Sequence, residues 1–303
     1  MRWPHYEHIF FDCDSTLTTI EGIDVLAESV GKRWRVEVLT KAAMDGHLDL
    51  KDVYNKRLRA VRPNREQIRA IYRAYKQNIT EDAAAVIHSL QALGHKVYII
   101  SGGLAEPVVE LGIYLGVPRE HIRAVNVAYN QLTGRWWQQC NPQANGNEPY
   151  LAYEKGALTV SDGKAQIVQE LLQGQNGRSL LIGDGTSDLL AQTAVDLFVG
   201  FTGVIARPNI LTNAPISIHS PSLAPLLLLA AGPAAYQFVQ NTPHQTIFDK
   251  AFQLTDRGAI TFNHERLNKK FWQAYQTVHP RSHRSETRNP GRTNRLDDWA
   301  PDA

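Results

Sequence analysis

Cysteine is scarce in this 303-residue chain, which holds only Cys13 and Cys140. Two are too few for a disulfide framework, so a reducing compartment is the simpler expectation. Charge of one sign is scarce too: the net charge is +2, and the excess arginine gathers near the carboxyl end rather than along a face of the fold. That excludes the basic groove a nucleic-acid partner would need. Long hydrophobic runs are also missing. The longest, LAPLLLLAAGPAA, extends only from Leu223 to Ala235 and is broken by Pro225, Gly232 and Pro233, well short of the roughly 20 apolar residues that cross a bilayer. The amino-terminal MRWPHYEH contains no apolar segment of signal length, and no internal repeat is found. These absences predict a cytoplasmic protein with neither a membrane nor a nucleic-acid partner.

What is present is an ordinary globular balance, 43% hydrophobic and 20% charged, in a chain long enough to bury a sizeable core. Short β-rich runs alternate with longer helical ones. Ile9 to Cys13, Lys96 to Ile100, Ser179 to Ile182 and Asp196 to Gly200 read as strands. Ala83 to Leu93, closed by Gly94, and Lys164 to Leu172, closed by Gly174, read as helices with glycine C-terminal caps. Asn130 to Gly134 reads as a hairpin turn. Strands alternating with helices imply an α/β fold, a parallel sheet covered on both faces in three layers.

One interval breaks the alternation. From Thr18 to Ile79 only charged, helix-favouring segments occur, such as VLAESVG and LDLKDVYNKRLRAV. This is too long for a simple crossover, and a small helical cap inserted after the first strand is the economical reading. The expected organisation is therefore a discontinuous core over residues 1–17 and 80–220, a helical cap over 18–79, a helical extension over 221–279 and a disordered tail over 280–303. The tail lacks apolar periodicity and is rich in Arg, Asn, Pro and Ser.

The chemistry gathers at strand ends. In HIFFDCDST, alternation sends Asp12 and Asp14 to one side of the extended chain and Cys13 to the other. In a parallel sheet the carboxyl ends of strands open into the ligand crevice, where two carboxylates can share a hard cation. Taken alone, DCDST equally suits a turn or a helix N-cap. The second strand ends in Ser101-Gly102-Gly103, whose hydroxyl and amides can bind phosphate oxygens, or which forms only a tight turn. A later strand runs SLLIGDGTSD, placing Asp184 at its end with Ser187 and Asp188 just beyond. Lys164 opens the preceding helix, a position where lysine is usually solvated.

Together DCDST, SGG, a lysine opening a helix, and GDGTSD resemble the four motifs of the haloacid dehalogenase superfamily of phosphotransferases. DCDSTLTTIEGID, AMDGHLDLKDVYNKR and NQLTG are similar to the phosphoserine phosphatase branch. The resemblance spans about residues 6 to 210 and implies a Rossmann-like core with a helical cap. It implies Asp12 as nucleophile, Asp14 as general acid and then base, and Mg²⁺ held by Asp12, the backbone carbonyl of Asp14 and Asp184. Asp188 would support that site or orient Lys164, while Ser101, Gly102, Ser187 and Lys164 would hold the phosphoryl oxygens. Glu21 would take the ammonium of a zwitterionic substrate, Arg57 its carboxylate, and Met44 an apolar lid position. The implied activity is Mg²⁺-dependent hydrolysis of a small phosphomonoester, O-phospho-L-serine first. Another small phosphorylated metabolite is the alternative, and a non-catalytic regulatory protein on the same fold is a third reading. Relatives commonly carry asparagine where Ser187 stands, and the region after Pro208 is longer than the branch's usual ending. For Leu223 to Tyr275, packing on the core, homo-oligomer formation and a simple appendage all stay open.

Overall fold

The computed structural model describes residues 3–44, 50–130 and 149–279. Cys140, most of the Asn130 to Gly134 turn and the 280–303 tail lie outside the described residues, as does the side chain of Met44.

The described residues form nine strands: β1 (His8–Phe11), β2 (Lys96–Leu104), β3 (Ile122–Val125), β4 (Val127–Tyr129), β5 (Tyr150–Tyr153), β6 (Ser179–Gly183), β7 (Leu197–Phe201), β8 (Ile216–Ile218) and β9 (Ile260–Phe262). Seven build one sheet in the order β3-β2-β1-β6-β7-β8-β9. Every pairing in it is parallel except the last, β8 with β9. The residues of β1, β6 and β7 are buried throughout. Near-continuous apolar runs of this kind mark strands covered on both faces.

The helices are α1 (Gly22–Ser29), α2 (Arg33–Met44), α3 (Leu50–Val61), α4 (Arg65–Gln77), α5 (Ala83–Ala92), α6 (Ala105–Tyr114), α7 (Gly163–Leu172), α8 (Thr186–Leu190), α9 (Pro208–Asn213), α10 (Leu226–Ala230), α11 (Tyr236–Val239), α12 (Gln245–Asp256) and α13 (Glu265–Val278). Gly94 and Gly174, at φ +87° and +72°, end α5 and α7 in the left-handed conformation that glycine adopts without steric cost.

The first four helices form an insert between β1 and the helix leading to β2. Its two ends run antiparallel beside each other: Thr18 bridges Ile79, Thr19 N–H donates to Asn78 O at 2.8 Å, and Thr80 N–H donates to Leu17 O at 2.9 Å. Helix α4 begins with a capping box, Asn64 and Gln67 exchanging side-chain-to-backbone bonds at 2.8 and 2.9 Å. It buries Ile68, Ile71 and Tyr75, one stripe at helical spacing. The β4–β5 pair leans on the insert, with Tyr150 N–H donating to Pro63 O and the Tyr153 ring 4.9 Å from that of Tyr54.

The carboxyl-terminal region differs from the all-helical extension expected over 221–279, because β9 adds the sheet's antiparallel edge. Three residues with Thr261 outward and Ile260 buried are too short for a strand period to be read. Helix α10, LLLLA, is wholly buried. It is tied to the amino terminus by Trp3 Nε1 donating to Leu229 O at 2.7 Å and Tyr6 N–H donating to Ala230 O at 3.1 Å. No helix among the described residues is long and apolar enough to cross a membrane.

Candidate active site

Parallel register brings the sequence motifs to one level. Phe11 stands opposite Ile99 on one side and Ile182 on the other, so Asp12 leaves β1 where β2 delivers Ser101 and β6 delivers Gly183 and Asp184. Just past Asp14 the chain turns sharply. Ser15, buried, takes φ +54°, a left-handed conformation unusual for a residue other than glycine and stored most often at functional sites. The Cys13 carbonyl accepts from the N–H groups of Thr16, Leu17 and Thr18, closing the turn, and the Cys13 thiol is free and buried.

Lys164 Nζ sits between two carboxylates, 2.7 Å from Asp12 Oδ1 and 2.6 Å from Asp188 Oδ1, although its side chain is only 5% exposed. Such burial of an ammonium is tolerated because both partners are charged and hydrogen-bonded. Burial opposes its charge and the two aspartates favour it; the aspartates win, and the Lys164 pKa rises. Asp188 is further fixed by Gly185 N–H at 3.1 Å. It fits there only because residue 183 is glycine, since a Cβ at Gly183 would lie 2.2 Å from the Asp188 carboxyl carbon.

Asp12, Asp184 and Asp188 each present an oxygen within 4.8 Å of the others, all buried. Burial, then mutual repulsion within the cluster, pushes the carboxyl groups of Asp14, Asp184 and Asp188 up to about 7 and that of Glu21 up to about 8. Five carboxylates, Asp12, Asp14, Glu21, Asp184 and Asp188, thus meet three cationic side chains, Lys164, Arg207 and Arg57. The all-oxygen donor set, and a burial and mutual repulsion strong enough to hold the carboxyls of Asp14, Asp184 and Asp188 protonated up to about 7, fit one hard divalent cation, which would keep them ionised.

A pocket opens beside this cluster, and its lining includes Asp12, Asp14, Glu21, Arg57, Gly102, Lys164 and Ser187. Ser101 is buried beside it, its Oγ accepting from Gly103 N–H at 2.9 Å. Arg57 is buried, its guanidinium 5.5 Å from the Tyr54 ring centre, and burial lowers its pKa. Glu21 receives Ser15 Oγ–H at 2.9 Å.

Two residues not singled out from the sequence belong to this cluster. Arg207, at the entrance to α9, donates from Nε to Asp184 Oδ2 at 3.0 Å and stands 3.5 Å from Glu21 Oε1. Its signal in sequence is faint, an arginine before the proline that starts a helix. Tyr75 donates its hydroxyl to Asp14 Oδ1 at 2.6 Å; at apolar spacing on α4 it reads as core.

A family model described as haloacid dehalogenase-like hydrolase matches residues 9–191. The chain is 31% identical over 208 residues to a phosphoserine phosphatase of Drosophila melanogaster, covering 68% of this chain and 72% of that one. It is 30% identical over 216 residues to the chloroplastic phosphoserine phosphatase of Arabidopsis thaliana, covering 70% and 68%. Among solved structures, a substrate-bound phosphoserine phosphatase complex superposes with a TM-score of 0.61 at 23% identity, covering 73% of this chain and 97% of that one, and shares the fold. With the family match running from β1 to the end of α8 and so taking in all four motifs, the chain belongs to the haloacid dehalogenase-like hydrolases and is a phosphoserine phosphatase-like hydrolase of phosphoric monoesters.

Proposed function

We propose that the protein hydrolyses O-phospho-L-serine to L-serine and phosphate through an aspartyl-phosphate on Asp12, with Mg²⁺ as its metal. The observation that carries this is the buried convergence of Asp12, Asp184 and Asp188, with Lys164 between Asp12 and Asp188, beside a pocket that Asp12, Lys164, Glu21 and Arg57 line. Asp12 attacks phosphorus and the leaving serine alkoxide takes a proton from Asp14. Asp14 then removes a proton from the water that cleaves the aspartyl-phosphate. Lys164, Ser101, Gly102 and Ser187 hold the phosphoryl oxygens, over which charge spreads in a loose transition state. Asp188 keeps Lys164 in place. Asp12, Asp184 and the Asp14 carbonyl would hold Mg²⁺, which offsets the repulsion between carboxylate and phosphate when bound.

The substrate assignment rests on Glu21 and Arg57, whose carboxylate and planar guanidinium match an ammonium and a carboxylate, and on relatives that are named phosphoserine phosphatases. The insert, which carries both residues, is the specificity element and the cover that excludes water. Asp12→Asn tests the chemistry. It should lower serine release from O-phospho-L-serine by at least about 10³-fold with the circular-dichroism spectrum unchanged. Turnover near the wild-type rate would overturn the nucleophile assignment.

A further inference from the structure

Among the described residues, Asp14 is held by hydrogen bonds from one side. Its Oδ1 accepts two hydrogen bonds, from the Tyr75 hydroxyl at 2.6 Å and from Gly22 N–H at 2.9 Å. Both donors belong to the insert, Gly22 at the start of α1 and Tyr75 near the end of α4. Oδ2 faces the carboxyl end of β2: a Cβ on Gly103 would lie 3.1 Å from it. An oxygen that already accepts two short hydrogen bonds is the poorer place for the acidic proton, so a protonated Asp14 carries it on Oδ2. That oxygen is turned toward the part of the pocket lined by Gly102, Gly103 and Lys164.

The seat of the Tyr75 hydroxyl is built for this contact. Tyr75 is buried on the same stripe of α4 as Ile68 and Ile71, so its ring cannot swing out to solvent. The hydroxyl reaches Asp14 across the position where any other residue at 22 would place its side chain. A Cβ at Gly22 would lie 2.2 Å from the Tyr75 oxygen and 3.2 Å from the Ile71 side chain. Glycine at 22 therefore leaves room for the phenol and turns its own amide onto the same carboxylate oxygen. A phenol, with an ordinary pKa near 10, stays a donor across neutral pH.

We infer that Tyr75 is a positioning residue for Asp14: from the insert it pins Oδ1, so that Oδ2 presents the proton to the leaving group. The inference rests on the acid–base role proposed for Asp14. Because both anchors of Oδ1 come from the insert, the acid is aligned only while the insert sits on the core. Cover and proton delivery are thereby one event, with water excluded at the moment the alkoxide leaves.

The test separates proton delivery from general damage by the basicity of the leaving group. A serine alkoxide needs a proton as the P–O bond breaks, whereas p-nitrophenolate leaves as the anion. The value of kcat/KM reports events up to departure of the leaving group, before the aspartyl-phosphate is hydrolysed. Tyr75→Phe removes one oxygen and keeps the ring. On O-phospho-L-serine its kcat/KM should fall roughly 10- to 100-fold, the low end of what a general acid supplies, and on p-nitrophenyl phosphate by less than about threefold. Equal losses on both substrates, or no loss on either, with the melting transition of the full chain unchanged, would overturn the inference. Asp14→Asn measured alongside keeps the two readings apart. If it discriminates between the substrates and Tyr75→Phe does not, the positioning role alone fails; if neither discriminates, the acid role of Asp14 fails first.

Discussion

A carboxylate and a guanidinium facing one pocket limit what can sit between them, and on the proposed function Arg57 is the residue on which the choice of substrate turns. It is 4% exposed and lines the same pocket as Asp12. A charge-assisted hydrogen bond contributes about 1.5–3 kcal/mol, which corresponds to roughly 10- to 100-fold in affinity. Arg57→Ala should therefore raise KM for O-phospho-L-serine by that factor and leave KM for p-nitrophenyl phosphate, which has no carboxylate, within about threefold. Parallel changes in the two KM values would mean that Arg57 shapes the pocket without reading a carboxylate, and another small phosphomonoester would then be the better substrate. Glu21, its expected counterpart, is more constrained than the sequence suggests. Ser15 and Arg207 both act on its Oε1. Arg207 in turn binds Asp184, so the proposed ammonium site and the carboxylates proposed to hold the metal share one cation.

Among the elements, the contact of α4 with α6 joins insert and core most directly beside the site. Glu106, on the first turn of α6 and just past the end of β2, forms an ion pair with Arg65 at 3.3 Å through one oxygen and accepts from Arg69 Nε at 3.3 Å on the other. The Arg65 guanidinium also lies 5.2 Å from the Tyr129 ring centre, which brings the β4–β5 pair into the same junction. These side chains are between a quarter and a half exposed, and exposed pairs of this kind contribute about 0–1 kcal/mol each. Glu106→Gln should accordingly raise KM roughly two- to fivefold at low salt, with kcat within about twofold, and the difference should shrink as salt screens the pairs. A KM ratio that does not respond to salt would show that Glu106 does not clasp the insert electrostatically. How much of this was legible in sequence follows from the kind of contact. The convergence of DCD, SGG and GDG could be read because parallel strands end at one edge, and the insert because charged helical segments interrupt a regular alternation. Tyr75 and Arg207 could not, because each meets its carboxylate across a wide gap in sequence, and locally one looks like core and the other like a helix entrance. β9 escaped because three residues carry no period.

At the scale of the whole molecule, the far edge of the sheet matters as much as the catalytic edge, since stability and pH response are shared by both. His95 precedes β2 at the opposite end from Asp12. Its Nδ1 pairs with the Tyr6 carbonyl, its ring lies tilted with its centre 4.3 Å from that of His5, and among the described residues Nε2 is buried without a hydrogen-bond partner. Burial, helped by His5 and opposed by the Tyr6 carbonyl and Glu7, pushes its pKa down to about 4. The unfolded chain takes up this proton near pH 6.5, while the folded chain resists until about 4. The neutral form's stabilisation is thus complete above pH 6.5 and is lost between there and about 4. At 1.36 kcal/mol per pKa unit the loss is roughly 3 kcal/mol. The carboxyls of Asp14, Asp184 and Asp188, held up to about 7, act with the opposite sign. Without a divalent cation they bind protons in the folded state while still ionised in the unfolded one, so acidification relieves their repulsion. Comparison with His95→Gln cancels their contribution. In chelator, the urea-unfolding free energy of the wild type should fall relative to the variant by roughly 3 kcal/mol between pH 7 and 4. Profiles that stay parallel over this range would show that His95 accepts its proton in the folded protein as readily as in water, and that the buried ring is not what limits stability in acid.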